Sequence, residues 1–201
     1  MRTRLAALLV PVLLALVGCT GGGEEAPTAR ESAAQSRPSP FQDCARLTTA
    51  PSGAPSAAPG GDPLPELTLT CFTGGAPVAL REVKGPAVIN LWASWCAPCR
   101  TELPAFQRLS DRAEGRLTVL GVNTRDTRAG AQSIGEDFGV RFPSLVDQGE
   151  SLQRALGRNA IPLTVLVDGD GRIRHVDASG ALDDARLAEL VREHLGVAVP
   201  A

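Results

Sequence analysis

The chain has 201 residues, 43% of them hydrophobic and 21% charged, enough for one globular domain with extensions. A formal charge of −2 and no basic stripe exclude a nucleic-acid surface, and 3% aromatics without tyrosine disfavour base stacking or an aromatic cage. Only the first eighteen residues hold a long apolar run, which excludes a multi-span membrane protein, and the apolar strands that follow exclude a collagen-like or wholly disordered chain.

Residues 1–19 read MRTRLAALLVPVLLALVGC. Arg2 and Arg4 form a positive start, and Leu5–Val17 is an apolar run short for a membrane span. It ends Leu16-Val17-Gly18-Cys19, which is similar to a bacterial lipobox, whose cysteine is diacylated and becomes the mature N-terminus. The competing readings are an ordinary signal peptide and an anchor helix. On the lipobox reading, residues 1–18 are a lipoprotein signal peptide, and their loss takes the formal charge from −2 to −4. Acyl chains on Cys19 then meet the two-signal requirement for stable anchoring. Residues 19–63 are rich in Gly, Ser, Ala and Pro and read as a flexible tether. Phe41–Leu47 (FQDCARL) interrupts it and is positioned to dock on the domain expected over residues 64–199.

The folded part begins with a hairpin, Leu67–Phe72 and Pro77–Leu80, around Thr73-Gly74-Gly75. Ala87–Ala93 is a nearly continuous apolar run, as expected for a strand buried on both faces. From Pro98 to about Glu114 the period becomes helical, with Leu103, Phe106 and Leu109 on one side and Pro104 inside as a kink. Leu117–Asn123 is a second buried strand, and Thr127–Phe138 a helix with Ala131, Ile134 and Phe138 inward, stopped by Gly139. Pro143–Val146 reads as a strand, Ser151–Leu156 as a short helix, and Leu163–Val167 with Arg172–Val176 as a second hairpin. Asp183 or Asp184 caps a last helix whose buried stripe is Leu187, Leu190, Val191 and Leu195. This order predicts an α/β fold with a central mixed sheet flanked by helices.

Five cysteines stand at 19, 44, 71, 96 and 99. In an exported protein an odd count needs a reason, and lipidation of Cys19 leaves two pairs. A Cys44–Cys71 bridge would close about 27 residues and contribute roughly 3–4 kcal/mol; the alternative is two free or separately modified thiols. Cys96 and Cys99 lie in Trp95-Cys96-Ala97-Pro98-Cys99, where a buried strand gives way to a helix, the setting of a redox C-x-x-C. Pro98 in the first turn needs no hydrogen-bond acceptor. Cys96 sits at the positive end of the helix, which favours its thiolate, and Arg100 adds to that field. Cys99, one turn inward, is shielded and suited to resolve a mixed disulfide. Zinc is disfavoured, because C-x-x-C supplies two of four ligands and His175 and His194 read as surface or packing residues.

Leu91–Arg100 (LWASWCAPCR) resembles the active-site segment of the thioredoxin superfamily, in its membrane-anchored TlpA/ResA-like branch, and the similarity spans residues 64–196. The resemblance implies a thioredoxin-like fold with an N-terminal hairpin extension. Pro104 falls where the family helix is kinked. Ile161-Pro162 matches the family's cis-proline, which faces the disulfide and offers backbone to a substrate; an ordinary trans turn is the alternative. Glu102 matches an acidic residue that tunes the cysteine pair, and Asn90 replaces the buried aspartate of cytoplasmic thioredoxins. Glu102 then reads either as general base toward Cys99 or as an exposed first-turn residue. Trp95 reads as packing against the disulfide or as touching substrate, Trp92 as core, and Leu163 stands where many relatives carry Thr.

The expected function is a thiol–disulfide oxidoreductase on the outer side of the bacterial cell membrane, using the Cys96–Cys99 disulfide and no added cofactor. Reduced Cys96 attacks a protein disulfide and Cys99 resolves it. The resemblance implies the reductive direction, toward apocytochrome c or copper-site thiols, with a membrane protein as electron donor and a monomeric state. Alternatives are a disulfide oxidase or isomerase, and a copper chaperone using both thiols with an outside ligand such as His175. Copper-delivery relatives space their cysteines one residue further apart. A peroxidase is disfavoured, because Ile89–Cys96 lacks the Pro and Thr of that active site.

Overall fold

The computed structural model describes residues 37–49 and 60–199. The signal peptide and lipidation site expected over residues 1–19, and most of the expected tether, lie outside the described residues.

Eight strands form one sheet in the order β1-β8-β7-β4-β5-β6-β2-β3. They are β1 (Asp62–Pro63), β2 (Thr68–Cys71), β3 (Val78–Ala79), β4 (Ala87–Trp92), β5 (Thr118–Thr124), β6 (Ser144–Asp147), β7 (Leu163–Val167) and β8 (Arg172–Asp177). The helices are α1 (Ala97–Arg112), α2 (Arg128–Asp137), α3 (Ser151–Ala155) and α4 (Asp184–Leu195). β4 and β5 run parallel, as do β5 and β6, because α1 and α2 serve as the crossovers. β7 returns antiparallel to β4, and β8 pairs antiparallel with β7. The mixed sheet and flanking helices are those expected from the hydrophobic pattern.

Every residue of β4 is buried, because α1, α2 and α4, together with Phe41, cover one face of the sheet while α3, Leu47 and Leu64 cover the other. Val88 and Trp92 join the cluster containing Leu103, Phe106, Leu187 and Leu190. Ile89 and Leu91 join the opposite cluster with Leu64, Leu145 and Leu163. The strand alternation thus divides a continuous apolar run between two cores.

The start of the domain departs from the expected boundary at residue 64. Asp62 and Pro63 already pair with Ile173 and Arg172 of β8. Residues 37–49 also lie on the domain, with Phe41 and Leu47 buried. Phe41 meets Phe72 edge-on at 4.7 Å between ring centroids and lies 5.9 Å from Trp92. Cys44 is disulfide-bonded to Cys71 of β2, with Cα atoms 5.9 Å apart.

That docking explains a correction in α2. Phe138 was expected to face inward but is 38% exposed. The inward positions include Gln132 and Gly135, both buried. A Cβ at Gly135 would stand 2.7 Å from Pro40 Cγ and 2.8 Å from Phe41 Cζ. Phe41 supplies the aromatic packing there, and glycine makes room for it.

Candidate active site

Strand β4 delivers the chain to a tight turn at Ala93–Cys96, where Cys96 N–H donates to Ala93 O at 3.1 Å. Cys96 is the N-cap of α1, and its sulfur accepts from Cys99 N–H at 3.3 Å. Cys96 and Cys99 are joined by a disulfide, with Cα atoms 5.3 Å apart. Cys96 is 5% exposed and Cys99 fully buried, so Cys96 is the less enclosed residue of the pair. The unpaired N–H groups of the first helical turn point toward Cys96, and a thiolate there gains from the helix dipole. Pro98 lies in that first turn, and Pro104 sits inside the helix, which continues to Arg112.

Two side chains hold the turn from outside. Arg100 Nη1 donates to Ser94 O at 3.1 Å, so Arg100 braces the turn as well as contributing charge. Asp126, which follows β5, accepts from Ser94 N–H at 2.6 Å and Ser94 Oγ at 2.6 Å. The same carboxylate accepts from Asn123 Nδ2 at 2.8 Å and Thr127 N–H at 2.8 Å. A buried carboxylate satisfied by four donors fixes the loop it grips. Sequence reasoning missed Asp126; its only local signal is its place between a buried strand and the Thr127 N-cap.

Trp95 does not cover the disulfide as a buried shield. It is 53% exposed, its Nε1 donates to Arg125 O at 2.9 Å, and the Arg125 guanidinium lies 5.5 Å from its ring centre. Trp95, Arg125, Glu150, Gln153, Asn159 and Ile161 line a pocket of about 230 Å³. Arg125 and Glu150 form an ion pair across it at 3.3 Å, and both hold positive φ angles, 46° and 53°. Such backbone in non-glycine residues concentrates at functional sites. Trp92 is fully buried, as expected of a core residue.

The Ile161–Pro162 peptide bond is cis. β4 and β7 pair Leu91 with Leu163, so one further step along the register brings Pro162 level with Trp92, at the strand end that feeds the cysteine turn. Leu163 is buried in the core beneath Ile161.

Glu102 is not an exposed first-turn residue. It is 1% exposed and stands one turn beyond Cys99 on the buried side of α1. Its Oε1 accepts from Asn90 Nδ2 at 2.6 Å and its Oε2 from Leu182 N–H at 3.1 Å. Burial raises its pKa from 4.5 to about 7, against the opposing effect of those two donors and with a further rise from Asp177. A carboxyl poised there accepts or releases a proton near neutrality.

The histidines, expected as surface or packing residues, meet across β8 and α4. His175 and His194 stack with ring centres 4.2 Å apart and planes 4° from parallel. His175 lies on β8 beside Leu166, three residues along β7 from Leu163, and therefore away from the strand ends that carry the thiols. The third ligand named for a copper chaperone is engaged there with His194. Among the described residues, no group of three or more His, Cys, Asp or Glu side chains is placed to hold a metal ion.

A match to the Redoxin family spans residues 59–190, most of the chain and the whole of the site. The chain belongs to the Redoxin family. Within it the chain is 30% identical over 108 residues to the thiol–disulfide oxidoreductase ResA of Halalkalibacterium halodurans, covering 53% of this chain and 61% of that protein. It is 26% identical over 118 residues to the ResA of Geobacillus thermodenitrificans, covering 58% of this chain and 65% of that one. These matches span under two thirds of the relatives' length. Among solved structures, the thiol:disulfide interchange protein DsbE of Chlorobium tepidum superposes with a TM-score of 0.60 at 24% identity, over 70% of this chain and all of that one. A secreted thiol–disulfide isomerase from Corynebacterium glutamicum gives 0.56 at 27% identity, over 66% of this chain and 83% of that one. The fold of this Redoxin member is thioredoxin-like.

Proposed function

We propose that this protein is an exported, membrane-tethered thiol–disulfide oxidoreductase that reduces protein disulfides with the Cys96–Cys99 pair. The observation that carries the reading is the asymmetry of the pair. Cys96, 5% exposed, stands at a helix N-terminus, while Cys99 is fully enclosed one turn before buried Glu102. In the forward step the Cys96 thiolate attacks a substrate disulfide, forming one mixed disulfide and releasing one substrate thiolate. Cys99 then attacks Cys96 as its S–H proton passes to the Glu102 carboxylate, and the second substrate sulfur leaves as thiolate. Each step breaks one S–S bond for the one it forms, and the protein ends oxidised. Ala97 and Pro98 shape the turn between the thiols, and the Ile161 backbone with Trp95 receives the substrate chain.

The resemblance to ResA supports the reductive direction and a role in cytochrome c maturation, with a membrane protein returning electrons to the pair. The lipobox-like Leu16–Cys19 supports cleavage after Gly18, acylation of Cys19 and a location on the extracytoplasmic face of the bacterial cell membrane. In this reading the chain after Cys19 tethers a monomeric domain that takes in the docked segment 37–49 and the sheet from Asp62 onward, and the disulfide is the only redox group required.

A trapping experiment tests the core of the proposal. In the Cys99→Ser variant, Cys96 should accumulate a mixed disulfide with a disulfide-bonded client protein, visible as a reducible adduct on non-reducing gels. The wild type should turn the same client over. No adduct on Cys96 in the variant, with no client reduced by the wild type, would remove the oxidoreductase reading.

A further inference from the structure

One buried polar arrangement is not accounted for by the chemistry above. Asn90 of β4 pairs with Thr164 of β7, and Thr164 pairs in turn with Asp177 of β8. Directly paired residues in adjacent strands point to the same face of a sheet with Cβ atoms about 4.5–5.5 Å apart. Asn90, Thr164 and Asp177 therefore form a row crossing three strands, and all three are buried. Val88, Trp92 and Leu166, which share their strand parity, belong to the cluster covered by α1 and α4. An apolar row would serve packing better there, since each buried polar group costs free energy unless it is partnered.

The two ends of the row are distinct. At one end Asn90 holds Glu102 through its 2.6 Å hydrogen bond. At the other, Asp177 Oδ2 lies 3.7 Å from His175 Nε2, an ion-pair distance rather than a hydrogen bond, and His175 stacks on His194 of α4. The loop from β8 to α4 closes the arrangement. Ser179 donates to Asp177 Oδ1 through its N–H at 3.0 Å and its hydroxyl at 2.7 Å, and Leu182 N–H donates to Glu102. One short loop therefore fixes both carboxyl groups.

We propose that Asp177, with His175 beside it, is a positioning residue for Glu102: its charge, at the far end of the Asn90–Thr164–Asp177 row on the same face of the sheet, biases the proton that Glu102 exchanges with Cys99. This rests on the oxidoreductase reading for its consequence, though not for its test. A second carboxylate facing the same buried space disfavours ionisation of Glu102 and keeps its proton available near neutrality. His175, 3.7 Å from Asp177 Oδ2, acts on the same carboxylate from the side away from Glu102. Stacked imidazoles at 4.2 Å resist double protonation. Burial, followed by His175, lowers the pKa of His194. Burial pushes Asp177 up, but the two Ser179 donors and His175 outweigh it and leave its carboxyl below the ordinary range. The groups facing the cluster are Glu102 from α1, Asp177, His175 and Arg174 from β8, and Arg186, Glu193 and His194 from α4. β7 contributes Thr164, which does not titrate in this range.

The test is a carbon-13 titration of the Glu102 carboxyl in the oxidised full-length protein, a state in which neither active-site cysteine titrates. Asp177→Asn should lower the Glu102 midpoint by about half a pH unit or more, and Asp177→Glu should return it toward wild type. An unmoved midpoint in folded Asp177→Asn would overturn the proposal. If loss of the Ser179 contacts prevents that variant from folding, an unmoved midpoint in Asp177→Ser, which also removes the charge but keeps a hydroxyl to accept from Ser179, overturns it instead. Because the oxidised protein does no turnover, failure here is distinct from failure of client trapping by Cys99→Ser.

Discussion

At the scale of single residues, the site depends on where one carboxyl and one amide are buried. Glu102 and Asn90 are fully enclosed and bonded to each other at 2.6 Å, so the aspartate of cytoplasmic thioredoxins is replaced by an amide that holds a carboxyl from the helix. The raised Glu102 pKa is also a statement about stability. The native state holds this proton between pH 4.5 and about 7 while the unfolded chain has released it. The folded form therefore binds more protons in that window, and stability falls as pH rises through it. The loss totals about 3 kcal/mol and is complete above the folded pKa. Glu102→Gln cannot titrate, and its amide is able to bond Asn90 Oδ1, which lacks a partner among the described residues. Urea unfolding from pH 4 to 8 should show the wild type losing about 3 kcal/mol relative to Glu102→Gln as pH rises. Parallel stability curves would remove the titration from Glu102.

At the scale of elements, the helix and strand pattern was legible because burial follows simple periods. β4 was recognisable from its unbroken apolar run, and α4 from Leu187, Leu190, Val191 and Leu195, all buried. The misjudged Phe138 shows the limit of that method: helical period identifies a stripe, but not which segment distant in sequence covers it. The N-terminal segment at Pro40 and Phe41 occupies the face that Phe138 was expected to fill. Asp126 and Asp177 were invisible for a related reason, since their partners lie on other elements and no spacing connects them. The Cys44–Cys71 bridge holds the same N-terminal segment to β2 across 27 residues of sequence. Replacing both cysteines with alanine should cost about 3–4 kcal/mol of unfolding free energy, measured in urea with the Cys96–Cys99 bond intact. A cost near zero would mean that Phe41 and Leu47 dock without the staple.

At the scale of the molecule, a rigid sheet brings three strand ends to one place. β4 leads into the cysteine turn, β5 leads into Asp126, and β7 begins immediately after Pro162. The C-x-x-C motif announced that place in the sequence, whereas its setting required the fold: Ser94 gripped by Asp126, Trp95 leaning on Arg125, and Glu102 enclosed. Such an assembly reduces protein disulfides only if its reduction potential is low enough, and that potential is measurable. Thiol alkylation and mass spectrometry across a series of redox buffers would follow the Cys96–Cys99 pair in the full-length protein. A reductant of protein disulfides should show a two-electron transition near or below about −270 mV, among thioredoxin-like reductants. A value above about −180 mV, among isomerases and oxidants, would contradict it.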